Sequence, residues 1–196
     1  MKAVLNVGGA SKAIPISPHY AGWRHDLLDI DARGKPDIVL DARSMKTLPP
    51  ATYDAIYCSH NLEHYHRHDG AKVIQGFHHV LAADGFAEIH VPDLEAVMKR
   101  VVQAGLDLDD QLYVSPAGPI LVRDVIYGYH VEIERSGLEF YTHKTGFTPR
   151  SLTRFMAENG FPISAMGTRS EFELTGIFFK RSPTPGQAAL LNIPKS

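Results

Sequence analysis

The sequence predicts a single α/β domain: a doubly wound, mostly parallel Rossmann-like sheet with helices on both faces and an antiparallel strand pair at its C-terminal end. Three observations predict it. Short runs of β-branched and aliphatic residues recur through the first half of the chain, each closed by Gly, Asp, Ser or Pro, as strands buried on both faces do. A helical repeat lies between two of these runs, giving the strand, helix, strand order of a right-handed crossover. The last two apolar runs are joined by too few residues for a crossover and must pair antiparallel.

In chain order, AVLNV (residues 3–7) is the first strand, LLDI (27–30) the second and IVL (38–40) the third. Only about eight residues part the second from the third, too few for a crossover helix, so a reduced helix or a plain loop is expected there. YDAIYC (53–58) and FAEIHV (86–91) are the fourth and fifth strands. Between them Val73, Ile74, Phe77, Val80 and Leu81 recur at helical spacing over 70–81, with Asp84-Gly85 as the stop. Residues 94–104 read as a helix. Residues 106–148, rich in Gly, Pro and aromatics, read as a lid or substrate-specific insertion. Thr148 caps and Pro149 opens a further helix, which presents Leu152, Phe155 and Met156 on one face until Asn159-Gly160 closes it. Residues 163–168 and 172–180 are the closing strand pair. The domain is expected to span 1–181, and 182–196, with three prolines and no periodicity, to be a flexible tail.

At 196 residues the chain has room for one core and not for two domains. A hydrophobic share of 44%, charged residues at 21% and a formal net charge of -2 give no basic field to hold nucleic acid, so no such partner is expected. Cys58 is the only cysteine, which excludes an intramolecular disulfide. The opening MKAVLNVGG lacks the apolar core of a signal peptide, and no run approaches the roughly 20 apolar residues of a membrane span. A cytoplasmic address is the expectation.

Chemistry gathers at the strand ends. The first strand runs into Gly8-Gly9, where backbone can approach a ligand that a side chain would obstruct, although a glycine pair also serves any tight turn. The dinucleotide fingerprint is not met, because positions 10 and 13 are alanine. Asp29, 21 positions after Gly8, ends the second strand, where a carboxylate can accept from both hydroxyls of a ribose. Asp41-Ala42-Arg43 ends the third, placing an acid within reach of an adenine amino group. A strand-end Asp is often only a cap, yet three such ends in chain order point to a nucleoside-shaped site.

These residues resemble the class I S-adenosylmethionine-dependent methyltransferases, in the small single-domain branch that carries a Ser-His-x-Leu-Glu-His segment. The matching stretches are Leu5-Asn6-Val7-Gly8-Gly9, Leu28-Asp29-Ile30, residues 37–42, Tyr53-Asp54-Ala55-Ile56-Tyr57, Ser59-His60-Asn61-Leu62-Glu63-His64, Val80-Leu81 with Asp84-Gly85, and Val91-Pro92-Asp93. They cover roughly residues 3–95, and a looser match from His143 to Phe161 extends them. The resemblance implies S-adenosylmethionine as cofactor. It implies that Asn6, Val7, Gly8 and Gly9 hold the methionine part, Asp29 and Ile30 the ribose side, Asp41 and Ala42 the adenine, and that Ser59 and His60 line the cofactor. The chain departs from the family's Gly-Cys-Gly in having Ala10 as the last residue of Gly8-Gly9-Ala10.

Three functional readings compete. The first is methyl transfer to a small-molecule or glycan- or lipid-linked acceptor chosen by the lid; no Pro-Pro-Tyr signature of the amino-methylating DNA enzymes is present, since Ala51 follows Pro49-Pro50. The sulfonium is already electrophilic, so alignment dominates and a base serves only to remove a proton. His143 is the first candidate for that base and His130 the second, with His60 and His64 also conceivable; Tyr127, Tyr129, Tyr141 and Trp23 could surround the cation or be core. The second reading is a noncatalytic cofactor- or partner-binding domain. The third is a zinc hydrolase, because His60-Asn61-Leu62-Glu63-His64 satisfies H-x-x-E-H. That pattern needs both histidines on one helical face, whereas Ser59-His60 directly ends a strand, so no metal ligands are assigned.

Overall fold

The computed structural model describes residues 1–116 and 118–194. Nine strands and six α-helices occur among them: β1 (Ala3–Val7), β2 (Arg24–Asp29), β3 (Ile38–Val39), β4 (Tyr53–Ser59), α1 (Arg67–Val80), β5 (Leu81–Pro92), α2 (Leu94–Ala104), β6 (Gln111–Ser115), β7 (Gly118–Leu121), α3 (Val122–Tyr127), α4 (His130–Ser136), α5 (Pro149–Glu158), β8 (Ile163–Ser170), β9 (Glu173–Phe179) and α6 (Pro185–Leu190). The main sheet has the order β3-β2-β1-β4-β5-β9-β8. Its first five strands are parallel and β9 is antiparallel to both β5 and β8.

One sheet face carries the main core. Ala3, Leu5 and Val7 of β1, Ile56 and Cys58 of β4, and Ala87, Ile89 and Val91 of β5 meet Val73, Ile74 and Phe77 of α1 and Leu152, Phe155 and Met156 of α5. Strand period 2 sends the alternate residues to the opposite face. There Val4, Ala55, Tyr57, Phe86, Ile177 and Phe179 pack against Tyr20, Trp23, Leu191 and Ile193.

That second face departs from the sequence reading. The β1–β2 connection holds no α-helix among its residues, only a short 3-10 turn, Pro18–Tyr20. The C-terminal segment takes over part of the cover. Where 182–196 is expected to be a flexible tail, Pro185–Leu190 form α6, capped by a Thr184–Gln187 box, with Gln187 bonded to the Asp84 carbonyl and Leu191 and Ile193 laid on the sheet. Composition does not reveal this because α6 is short and is held by tertiary packing rather than by its own apolar stripe.

Other elements fall near expectation. The β2–β3 link is a 3-10 turn, Ala32–Gly34, as its length requires. Helix α1 stops at Val80, before Asp84-Gly85, because Leu81 already pairs with Tyr53 and the register then shifts before Ala55 meets Phe86. Helix α2 matches 94–104, capped by Asp93 through bonds to the amides of Glu95 and Ala96. The 106–148 stretch is a β6–β7 hairpin followed by α3, α4 and a 3-10 turn at Glu139–Tyr141, and with α2 it builds a satellite core around Val97, Leu112, Val122 and Phe172. No helix among the described residues is long and apolar enough to cross a membrane.

Candidate active site

A cavity of about 680 Å³ opens at the carboxyl ends of β1 to β4, within the roughly 300–1,000 Å³ of small-molecule sites. Parallel pairing brings the strand ends together: the Gly8 amide donates to the Leu28 carbonyl at 2.8 Å, and the Leu40 amide to the Asp29 carbonyl at 3.0 Å. Gly8 has φ +73, and a Cβ there would fall 2.1 Å from Asn61 Nδ2; a Cβ on Gly9 would fall 2.2 Å from Asn6 Nδ2. The glycine pair is thus required by two asparagines that stand against the loop. Ala10 follows at φ 56, a conformation that costs an alanine about 1 kcal/mol. Its amide donates to Asp29 Oδ2 at 2.9 Å, which ties the loop to the end of β2.

Acids line the side of the cavity formed by β2 and β3. Asp29 accepts from the amides of Ala10 and Asp31 through separate oxygens, 2.9 and 2.8 Å, so each oxygen keeps a further lone pair. Ile30 beside it is half exposed, offering an apolar surface. Asp41 is gripped by Arg43 through Nε and NH2, and those bonds hold its carboxyl below the usual range. Arg43 also reaches Asp69 at 3.3 Å.

On the β4 side, His60 has φ 49 and stands between two carboxylates: Nδ1 is 3.4 Å from Glu63 Oε1 and Nε2 is 3.3 Å from Glu173 Oε1. Burial would lower its pKa, but Glu173 and Glu63 outweigh burial and raise it to about 10. His60 therefore presents a positive charge to the cavity at neutral pH. Acids and imidazoles continue to alternate beneath it. His90 Nδ1 is 3.3 Å from Glu173 and its Nε2 is 2.8 Å from Glu88, which His19 Nε2 approaches to 3.0 Å and Ser17 Oγ bonds at 2.5 Å. Burial works against the charge on Glu88, yet His19, His90 and Ser17 hold it well below the usual carboxylate range.

The structure brings Asn6, Gly8, Gly9, Asp29, Ile30, Asp41, Ser59 and His60 onto one cavity wall. It does not bring Val7 or Ala42 there: both are buried in the core, pointing away from the strand-end opening. His130 lies elsewhere, its ring on the buried carboxylate of Asp124. His143 is not on the lining either; it packs edge-on against His64, ring centroids 4.9 Å apart, and burial lowers its pKa. Neither histidine is among the residues that line the cavity. Of the four aromatics, only Tyr141 lines it; Trp23 packs on the far sheet face. The H-x-x-E-H segment is no helix pair either, since His60 sits at the strand end and Leu62–His64 form a 3-10 turn.

Sequence reasoning missed Asp31, Asn61, Tyr65, Phe140, Lys144 and Arg169 on the lining. Asp31 and Asn61 follow strand-end residues that were legible and could have been found by reading one or two positions further. Lys144 and Arg169 come from the 106–148 stretch and from β8, and nothing local marks them.

The strand order, with an antiparallel β9 between β5 and β8, is the fold of solved S-adenosylmethionine-dependent methyltransferases. Among solved structures, the chain is similar to a protein of Pyrococcus horikoshii OT3 (TM-score 0.59, 11% identity, covering 91% of this chain and 82% of that one). It is likewise similar to a SAM-dependent methyltransferase from Archaeoglobus fulgidus (0.57, 14%, covering 91% and 86%). A third is the Burkholderia thailandensis 1,6-didemethyltoxoflavin-N1-methyltransferase with bound 1,6-didemethyltoxoflavin and S-adenosylhomocysteine (0.52, 16%, covering 92% and 72%). No protein-family model and no curated protein sequence matches the chain.

Proposed function

We propose that the chain is an S-adenosylmethionine-dependent methyltransferase acting on a small-molecule or glycan- or lipid-linked acceptor. The observation that carries this reading is the convergence of Gly8-Gly9, Asp29, Asp41 and Ser59-His60, from four strand ends, on one cavity. The residues fit the cofactor. Asp29 has a free lone pair on each oxygen for the two ribose hydroxyls, and Ile30 offers an apolar face to adenine. Asn6, buried with its Oδ1 lacking a hydrogen-bond partner, can accept from the ammonium group of the methionine part, while Lys144 and Arg169 supply cations for its carboxylate. Tyr57, Tyr65, Phe140 and Tyr141 provide aromatic surface for the sulfonium.

When bound, the cofactor supplies an electrophilic methyl group. The chain's own work is to hold the acceptor in line with that group and to exclude water. Val7 and Ala42 pack the strands behind the loop.

Calorimetry with S-adenosylmethionine and S-adenosylhomocysteine tests the reading. One saturable site for each is expected, and binding of neither would overturn it.

A further inference from the structure

Beside the cavity, Glu63, His64 and His143 each bring one ligand atom within 4.8 Å of the others. Glu63 is unusual on its own account: its side chain is 1% exposed, and neither carboxylate oxygen has a hydrogen-bond partner among the described residues. A buried carboxylate without donors is costly unless a cation compensates it. The charged His60 compensates it from 3.4 Å, and His64 and His143 each bring a ring nitrogen within 4.8 Å of a Glu63 carboxylate oxygen.

Those imidazoles are oriented as metal ligands are. His64 Nδ1 lies 3.2 Å from the Thr142 carbonyl and His143 Nδ1 lies 2.9 Å from the Val125 carbonyl. A carbonyl only accepts, so Nδ1 of each ring carries the proton, and in the neutral ring Nε2 carries the lone pair. Backbone carbonyls that fix ring and tautomer in this way are the usual second layer of a histidine metal site. The backbone is clamped as well: the amides of Lys144 and Thr145 both donate to the Glu63 carbonyl, 2.8 and 3.1 Å, which pins the segment after His143 against the turn that holds Glu63 and His64.

We propose that Glu63, His64 and His143 form a binding site for a divalent transition-metal ion, at the edge of the cavity that His64 also lines. Two imidazoles and a carboxylate suit zinc, cobalt, manganese or iron(II) better than magnesium or calcium. With bonds of about 2.0–2.1 Å, ligand atoms around a tetrahedral ion stand roughly 3.4 Å apart, so side-chain rotation of about an ångström closes the site. Three protein ligands leave coordination positions for water or for an oxygen of an acceptor. The trio differs from the H-x-x-E-H reading, because His143 replaces His60, which is held by Glu63 and Glu173.

The test uses the full-length, tag-free protein stripped with chelator and titrated with Zn2+ alone by calorimetry. One equivalent is expected to bind saturably, and Co2+ in its place is expected to give a visible absorption band that Zn2+ abolishes. His64→Asn and His143→Asn should each weaken Zn2+ binding roughly 100-fold, while His130→Asn should leave it within about twofold. Absence of saturable binding to the wild-type protein overturns the proposal, as does undiminished binding in both ligand variants. The wild-type titration decides even where a variant unfolds, which circular dichroism detects. Because the titration contains neither cofactor nor acceptor, its failure leaves the methyl-transfer reading standing.

Discussion

Asp29 is asked to do two things at once, and substitution separates them. Its oxygens accept from the Ala10 and Asp31 amides, which holds the glycine loop to the end of β2, and in the proposed complex the same oxygens accept from ribose. Hydrogen bonds to a charged acceptor contribute about 1.5–3 kcal/mol each, and water competes for them in the free protein. Loss of the two to ribose should therefore cost about 3 kcal/mol of binding, or roughly 150-fold in Kd. Asp29→Ala also strands two amides, which should lower stability by about 2 kcal/mol, equivalent to roughly 4–8 °C in Tm for a domain of this size. Asp29→Asn keeps one carbonyl oxygen and should lose about half as much of each. Calorimetry with S-adenosylhomocysteine gives the first quantity and differential scanning calorimetry the second. Unchanged affinity in Asp29→Ala, together with a fall in Tm, would make the acid a loop clamp alone and refute the placement of ribose at the end of β2.

Three further outcomes are expected. Gly8→Ala places a side chain at φ +73 and 2.1 Å from Asn61 Nδ2, so Tm should fall by the equivalent of at least 1–2 kcal/mol and cofactor affinity at least tenfold; wild-type affinity in a calorimetric titration would count against the loop's role. Glu88→Gln removes the carboxylate that His19 and His90 share and should cost about 3 kcal/mol near pH 6. The depressed pKa of Glu88 stabilises the fold above the unfolded value near 4.3 and is lost as pH falls, whereas the raised pKa of His90 stabilises below the unfolded value near 6.5 and is lost as pH rises. The wild-type advantage over the variant should thus peak between about pH 4.3 and 6.5, and a difference independent of pH in scanning calorimetry would contradict that coupling. Ending the chain after Ser182 strips Leu191 and Ile193 from the second sheet face and should cost about 2–3 kcal/mol by denaturant titration; an unchanged midpoint would show that α6 is not part of the core.

How much of this was legible beforehand depended on the range of the determining interaction. The β4 end at Ser59-His60 shows the limit well: the sequence alone marks it as a strand end, and only the packed structure surrounds His60 with Glu63 and Glu173. In the same way Val7 and Ala42 sit next to cavity residues in sequence and point into the core, because side chains alternate about the backbone and only the sheet's register and cover decide which face is the core. The second face is the clearest case. The short β2–β3 connection was visible, but not that a C-terminal segment without an apolar stripe would lie over Phe86 and Phe179.

The sequence by itself determined the strands of the main sheet, the helices α1, α2 and α5 and their order, since strand and helix periods are local, and it determined that glycines and acids fall at strand ends, since the turn residues that stop a strand are its neighbours in the chain. Tertiary structure alone decided which of those ends share a cavity, that Lys144 and Arg169 join them, and that His143 comes to Glu63 and His64. Those are contacts between residues far apart in the chain, fixed by crossover handedness and by core packing, and no local pattern of residues records them.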